Sequence, residues 1–182
     1  MGGLYFNLIL LKLIYNHSMK KLILALLIFL VFILPVKADN PLVLDPIIDH
    51  LRLAMEDDKE LEYSLKRCAG LFLASGTALH KLVEENHPDA QQYVDLGEEL
   101  MEYLAKYQII VLDSNELTQE EFNKTYRKNI EEVQRMNRSY YARMSDNFST
   151  SGTITENDVP LGDDVFTCMG FHEQIFGDQG AN

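Results

Sequence analysis

The chain has 182 residues, with 16 Lys and Arg against 28 Asp and Glu and a formal net charge of -12. That length suits one domain, and a hydrophobic share of 47% with 10 Gly and 5 Pro excludes intrinsic disorder and a collagenous or low-complexity chain. An acidic balance with no Lys/Arg cluster beyond the N-terminus leaves no electrostatic footprint for phosphate backbones and argues against nucleic acid as a partner.

The charge is unevenly spread. Residues 1–38 hold four lysines (Lys12, Lys20, Lys21, Lys37) and no acid, so residues 39–182 carry 12 basic groups against 28 acidic ones, or -16. From Met19 the order is Lys20-Lys21, an apolar run of thirteen residues from Leu22 to Leu34, Pro35, then Val36-Lys37-Ala38 before Asp39. A basic start, a short apolar core, a helix breaker and small residues at the -3 and -1 positions are the parts of a secretory signal. It occupies 19–38, with cleavage expected between Ala38 and Asp39. Residues 1–18 are read as an upstream extension of the gene model, and 39–182 as a single helical domain. The competing reading is an uncleaved membrane anchor. A spanning helix needs about 20 apolar residues, and Leu22–Val36 supplies fifteen. The expected location is the periplasm or outside the cell, with a bacterial periplasm favoured, and no stable membrane insertion after cleavage. Three Asn-x-Ser/Thr sequons, at Asn123, Asn137 and Asn147, would matter only in a eukaryotic secretory route.

Two cysteines, Cys68 and Cys168, remain after cleavage. An even count in an oxidising compartment predicts a disulfide. With 100 positions between them, loop entropy gives such a bond up to about 4.7 kcal/mol. A redox pair would need Cys-x-x-Cys or a thiolate beside cations. Lys66 and Arg67 precede Cys68, but on a helix they are expected to point elsewhere. No c-type haem or paired-thiolate zinc motif is present.

In chain order, Asp45 as N-cap and Pro46 at the first helical position predict a helix to about Glu56. A second, from near Asp58 to Glu85, carries Leu61, Leu65, Cys68, Leu71, Phe72, Leu79 and Leu82 at three- and four-residue steps. Ser75-Gly76-Thr77 marks a kink or break in it, at about 1 kcal/mol for the glycine. Gly70, Ala74 and Ala78 form a smooth stripe for tight packing. A third helix opens at Pro88 and runs to about Val111; Gln108–Leu112 is the one short strand candidate. Thr118 to Glu121 is a capping box opening a fourth helix with Phe122, Tyr126, Ile130, Val133, Tyr140, Met144 and Phe148 on one face. Ser149–Asp164, with Pro160 and Gly162, reads as a loop, followed by a short helix over Val165–Phe176. The fold class is therefore all-α: a small antiparallel bundle of four main helices and a short C-terminal one, pinned by the disulfide.

The chemistry-bearing patterns are sparse. Glu84-x-x-His87 has di-iron spacing but occurs once, where such sites need two copies and further glutamates; His87 is read as a loop or cap residue. His80 with Glu84, Asp49 with His50 and His172 with Glu173 are lone pairs. Asn157-Asp158 and Asp163-Asp164 lack the ligand spacing of an EF-hand, and the default is a solvated acidic loop. There is no Gly-x-Ser-x-Gly, His-Glu-x-x-His, Walker or Gly-x-Gly-x-x-Gly motif. No metal, cofactor or catalytic residue is expected. Tyr103 and Tyr141 are candidates for exposed aromatic surface, and Tyr107 and Tyr140 for core. The expectation is an exported, acidic helical protein that binds a protein or envelope component. The alternatives are a small hydrolase acting on cell-wall sugar through two carboxylates about 5–9 Å apart, and a ligand-binding bundle with a central apolar cavity of roughly 300 Å³ or more.

Overall fold

The computed structural model describes residues 44–177. The expected extension, signal and Ala38–Asp39 cleavage point lie outside them. Five α-helices follow one another: α1 (Ile47–Leu53), α2 (Asp58–Ala78), α3 (Ala90–Tyr107), α4 (Gln119–Ser151) and α5 (Val159–Phe176). Among the described residues there is no strand, and no helix is long and apolar enough to cross a membrane. The all-α reading holds. Gln108–Leu112 is a π-helical turn that continues α3, and Leu79–Val83 is another that continues α2.

α2 is the central element, with Leu65, Cys68, Leu71, Phe72, Ala74 and Ala78 all fully buried. Its sequence steps of three and four place these on more than one side, so a helix packed on several faces results. α3 runs antiparallel to it, with Gly76 facing Ala90 and Val94 while Gly97 faces Leu73 and Ala69. α4 returns in the direction of α2, as Lys66 meets Glu132 at 2.9 Å and Gly70 lies against Met136. The small-residue stripe does what its size permits. A Cβ on Gly70 would sit 2.8 Å from the Met136 Cβ and 3.1 Å from the Val133 carbonyl, so the missing side chain sets the α2–α4 distance. Gly76 does the same toward α3, where a Cβ would lie 2.7 Å from the Ala90 carbonyl. Of the kink or break expected at Ser75–Thr77, the break does not occur. Ser75 and Thr77 donate their hydroxyls to the carbonyls of Leu71 and Leu73, at 3.0 and 2.8 Å, and α2 continues through them to the π turn.

The helix starts follow from their caps, with two corrections. Asp57 caps α2 by accepting the Lys59 amide at 2.8 Å, and Thr118 caps α4 by accepting the Glu121 amide at 3.2 Å. The loop expected over Ser149–Asp164 is much shorter. α4 extends to Ser151 and stops at Gly152, whose φ of 78° is the left-handed value that ends helices. α5 then begins at Val159 and not at Val165, because Asp158 accepts the Leu161 amide at 3.1 Å. Pro160 falls in the first turn, where its missing N–H has no helical acceptor to lose. The second correction is at α1. Its N-cap is Pro46, with no side-chain capping bond, and not Asp45. The amide of Ile47 finds its acceptor on Asp164 of α5, at 3.0 Å.

Candidate functional site

α5 is fastened to the bundle at two adjacent points. The first is Cys68–Cys168, whose Sγ atoms are at bonding distance, 2.02 Å, with Cα atoms 5.3 Å apart. This is the predicted pair, and both residues are fully buried. The second was not foreseen. Arg67, expected to point away from Cys68 as a flanking charge, is 0% exposed. Its Nη2 donates to Asp164 Oδ2 at 3.0 Å and to the Tyr140 hydroxyl at 2.7 Å, and its Nη1 donates to the Asp45 carbonyl. Tyr140 in turn donates to Asp164 Oδ2 at 3.0 Å. One carboxylate thereby joins α1, α2, α4 and α5.

The electrostatics suit a fastening. Burial alone would lower the Arg67 pKa, yet Tyr140 and Asp164 outweigh it and hold the guanidinium charged. Burial pushes the Tyr140 hydroxyl well above its ordinary range, so it stays a neutral donor. A buried ion pair is retained at a desolvation cost and is sensitive to loss of either partner. Asp164 therefore belongs to a closed polar cluster, and the acidic loop read at Asn157–Asp164 does not exist as such. Its other carboxylate of note, Asp158, caps α5 and is forked by Arg143, which holds its pKa below the usual carboxylate value. Among the described residues no group of three or more His, Cys, Asp and Glu side chains comes together to hold a metal ion.

The lone histidine pairs resolve into links between helices. His50 Nδ1 pairs with Glu60 Oε2 at 2.7 Å, joining α1 to α2. His172 Nε2 pairs with Glu99 Oε2 at 2.7 Å, joining α5 to α3, and its ring packs on Phe176 with centroids 4.6 Å apart. His87 lies in the loop before α3 and accepts the Asp89 amide at 3.2 Å, while His80 accepts the Asn86 amide in place of pairing with Glu84.

The candidate aromatic surface moves elsewhere. Tyr103 and Tyr141 are half-buried against the core. Tyr107, expected inside, reaches Asp58 with its hydroxyl at 2.5 Å, and that bond pushes its pKa up to about 12. Large apolar side chains lie outside in two regions: Val83, Ile110, Val111 and Leu117 near the ends of the π turns and before α4, and a larger set on α1, the turn after it and α5. Met55 is 89% exposed and Phe166 is 83% exposed, with Ile48, Leu53, Val159 and Met169 also exposed. Between the two helices runs a groove of about 420 Å³, bordered by Ile48, Leu51 and Met55 on one side and by Thr167, Gly170 and Phe171 on the other. Sequence reading placed Phe166 in the last helix but gave no side for it, because that helix is apolar on most of its circumference. A second, polar hollow of about 290 Å³ lies at the turn between α3 and α4. There the buried Gln108 side chain is taken at both ends, by Glu62 and Asn129 at 2.7 Å each; a third hollow of about 340 Å³, between Lys106 and Phe122, is also smaller than the α1–α5 groove, which is taken as the candidate.

No protein-family model matches the chain, and no curated protein or solved structure shows significant similarity to it.

Proposed function

We propose that this chain is an exported helical protein that binds another protein through the face formed by α1 and α5. The observation that carries the reading is a groove bordered by the exposed Ile48 and Met55, the latter 89% exposed, with Phe166, 83% exposed, next in sequence to its lining residue Thr167. Single apolar residues on a surface are ordinary, whereas a cluster of them bordering a groove is what protein interaction sites present. The face is also held in place. The disulfide and the Arg67–Asp164 pair fix α5, so little order would have to be gained on binding. Export is supported by the signal-like order of residues 19–38 and by the cysteine pair, which persists in oxidising compartments. A second reading, capture of a small apolar molecule, is favoured by the groove's volume, which falls in the range of small-ligand sites.

The test is a photo-crosslinking residue placed at position 166 of the exported protein, with one at position 128 on the exposed side of α4 as control. The expected result is a discrete heavier adduct from 166 and none from 128. No adduct from 166, or equal adducts from both, contradicts the reading. Intact-mass measurement of the native protein decides the second reading, since a bound small molecule adds a defined mass.

A further inference from the structure

We infer that the α1–α5 groove binds a medium-chain alkyl carboxylate, a single fatty acid with its tail along the groove and its head on Arg52. This rests on the small-molecule reading above and names the ligand; Phe166, which is outside the groove, is left to the protein partner. The first ground is the build of the walls. Ile48, Leu51, Arg52 and Met55 stand at i, i+3, i+4 and i+7 and so form one stripe of α1. Thr167, Gly170, Phe171 and Gln174 repeat the same steps on α5. Each stripe covers about 10 Å of helix, the reach of an alkyl chain of about ten carbons. The volume of about 420 Å³ and a mainly apolar lining with a few polar groups are those of a small-ligand site.

The second ground is Gly170. A glycine inside a helix weakens it relative to alanine. Gly70, Gly76 and Gly97 have a packing reason, since a Cβ on each would come within 2.7–2.9 Å of a neighbouring helix. A Cβ on Gly170 would meet nothing within 4 Å, although the residue is inside α5. Gly162, equally open, lies in the first turn of α5 and does not line the groove. The room that Gly170 leaves is thus used by no part of the described fold, and it opens on the groove.

Charge selects the head. Among the described residues Arg52 is the only charged one that lines the groove. It is exposed, and its nearest acid, Asp49, is 3.8 Å away, too far for a hydrogen bond, so its fork of donors can take a carboxylate. A cationic head would meet Arg52 instead. Asp49 and the net -16 of residues 39–182 disfavour a doubly charged phosphate head and an anionic membrane surface, which leaves a singly charged monomer.

The probes are decanoate, hexanoate, 1-decanol, decylamine and phosphatidylglycerol vesicles, each titrated by calorimetry into the purified protein freed of bound lipid. Decanoate should bind one to one, at least about tenfold tighter than hexanoate, because four more methylenes are buried, and tighter than 1-decanol or decylamine. Arg52→Gln should weaken decanoate about threefold and leave 1-decanol within about twofold, a split that a purely structural role of Arg52 would not produce. Gly170→Leu, which fills the groove, should weaken both at least about tenfold, while Gly162→Leu leaves both within about twofold. Circular dichroism confirms that these variants fold. Decanoate binding that ignores Arg52→Gln or Gly170→Leu overturns the inference, as does preference for decylamine, 1-decanol or vesicles. Should the native protein carry a bound mass that Gly170→Leu removes but that is not a carboxylate, the head chemistry falls and small-molecule capture stands. No bound mass and no probe binding remove both.

Discussion

Replacing Asp164 by Ala removes the one carboxylate that joins four helices, and the structure sets the size of the effect. Asp164 Oδ2 accepts from Arg67 and Tyr140, each at 3.0 Å, and Oδ1 accepts from the Ile47 amide at 3.0 Å. Without it the Arg67 guanidinium, 0% exposed, keeps only the Asp45 carbonyl and the Tyr140 hydroxyl. Breaking a buried ion pair from one side costs about 3–5 kcal/mol. The orphaned amide at the start of α1 adds about 1 kcal/mol. Against a total of about 5–15 kcal/mol for a domain, this is a large share, and it acts where α1 and α5 are held. Asp164→Asn keeps an acceptor for Ile47 but loses the charge, so it should fall between Asp164→Ala and the parent. The triple change Arg67→Met, Tyr140→Phe, Asp164→Leu removes every member at once and should recover most of the loss, since no buried charge is then left unpaired. Urea unfolding followed by far-ultraviolet circular dichroism, with the disulfide intact, measures all three. A loss under about 1 kcal/mol for Asp164→Ala, or a triple variant as unstable as the single one, would refute the reasoning.

Replacing both Cys68 and Cys168 by Ser should lower stability by up to about 4.7 kcal/mol, and mild reductant without denaturant should leave the native bond intact because both sulfurs are buried; free-thiol titration checks the second point. Gly70→Ala should destabilise by about 1–3 kcal/mol despite alanine's better helix propensity, as its Cβ meets the Met136 Cβ and the backbone of α4. Gly162→Ala, with nothing within 4 Å, should stabilise by up to about 1 kcal/mol, and thermal unfolding separates the two. The Arg143 fork holds the folded Asp158 pKa below its unfolded value, so its contribution is present above about pH 4 and is lost as pH falls through the depressed folded value. Asp158→Asn keeps a good N-cap and should be less stable at pH 7 by about 1 kcal/mol, with that gap closing as pH falls below about 4.

How far the sequence carried the structure depended on whether a signal was local. Helical steps in α2, α3 and α4 and the Thr118 cap depend on residues within a turn of each other, and those elements form as expected. The cysteine pair needed only a count of two. Asp164 and Arg67 are 97 positions apart, and each alone looks like an ordinary surface charge. Nothing local marks them as partners, and Asp164 was further hidden in a stretch whose Pro160 and Gly162 resemble a loop. That proline is permitted at the start of α5 because Asp158 caps the turn, a reading the sequence allowed but that composition outweighed. The exposed face was illegible for a different reason. Helical periodicity separates sides when one is polar, and α5 has Val165, Phe166, Met169, Phe171, Ile175 and Phe176 on nearly every side. Only packing against α2 and α3 decides that Phe171 and Phe176 turn inward and Phe166 outward.

The central claim is that the α1–α5 face is open in the isolated protein and covered where the protein acts. Five methionines of the described residues report on it: Met55 borders the groove at 89% exposure, Met169 is 37% exposed on a side of α5 that does not line it, and Met101, Met136 and Met144 are buried. Oxidative footprinting read by mass spectrometry compares the protein in its native compartment with the same protein after purification. The account predicts that Met55 oxidises readily when purified and is protected in place, with Met169 changing less between the two settings and the buried three unreactive in both. Equal oxidation of Met55 in the two settings would contradict it.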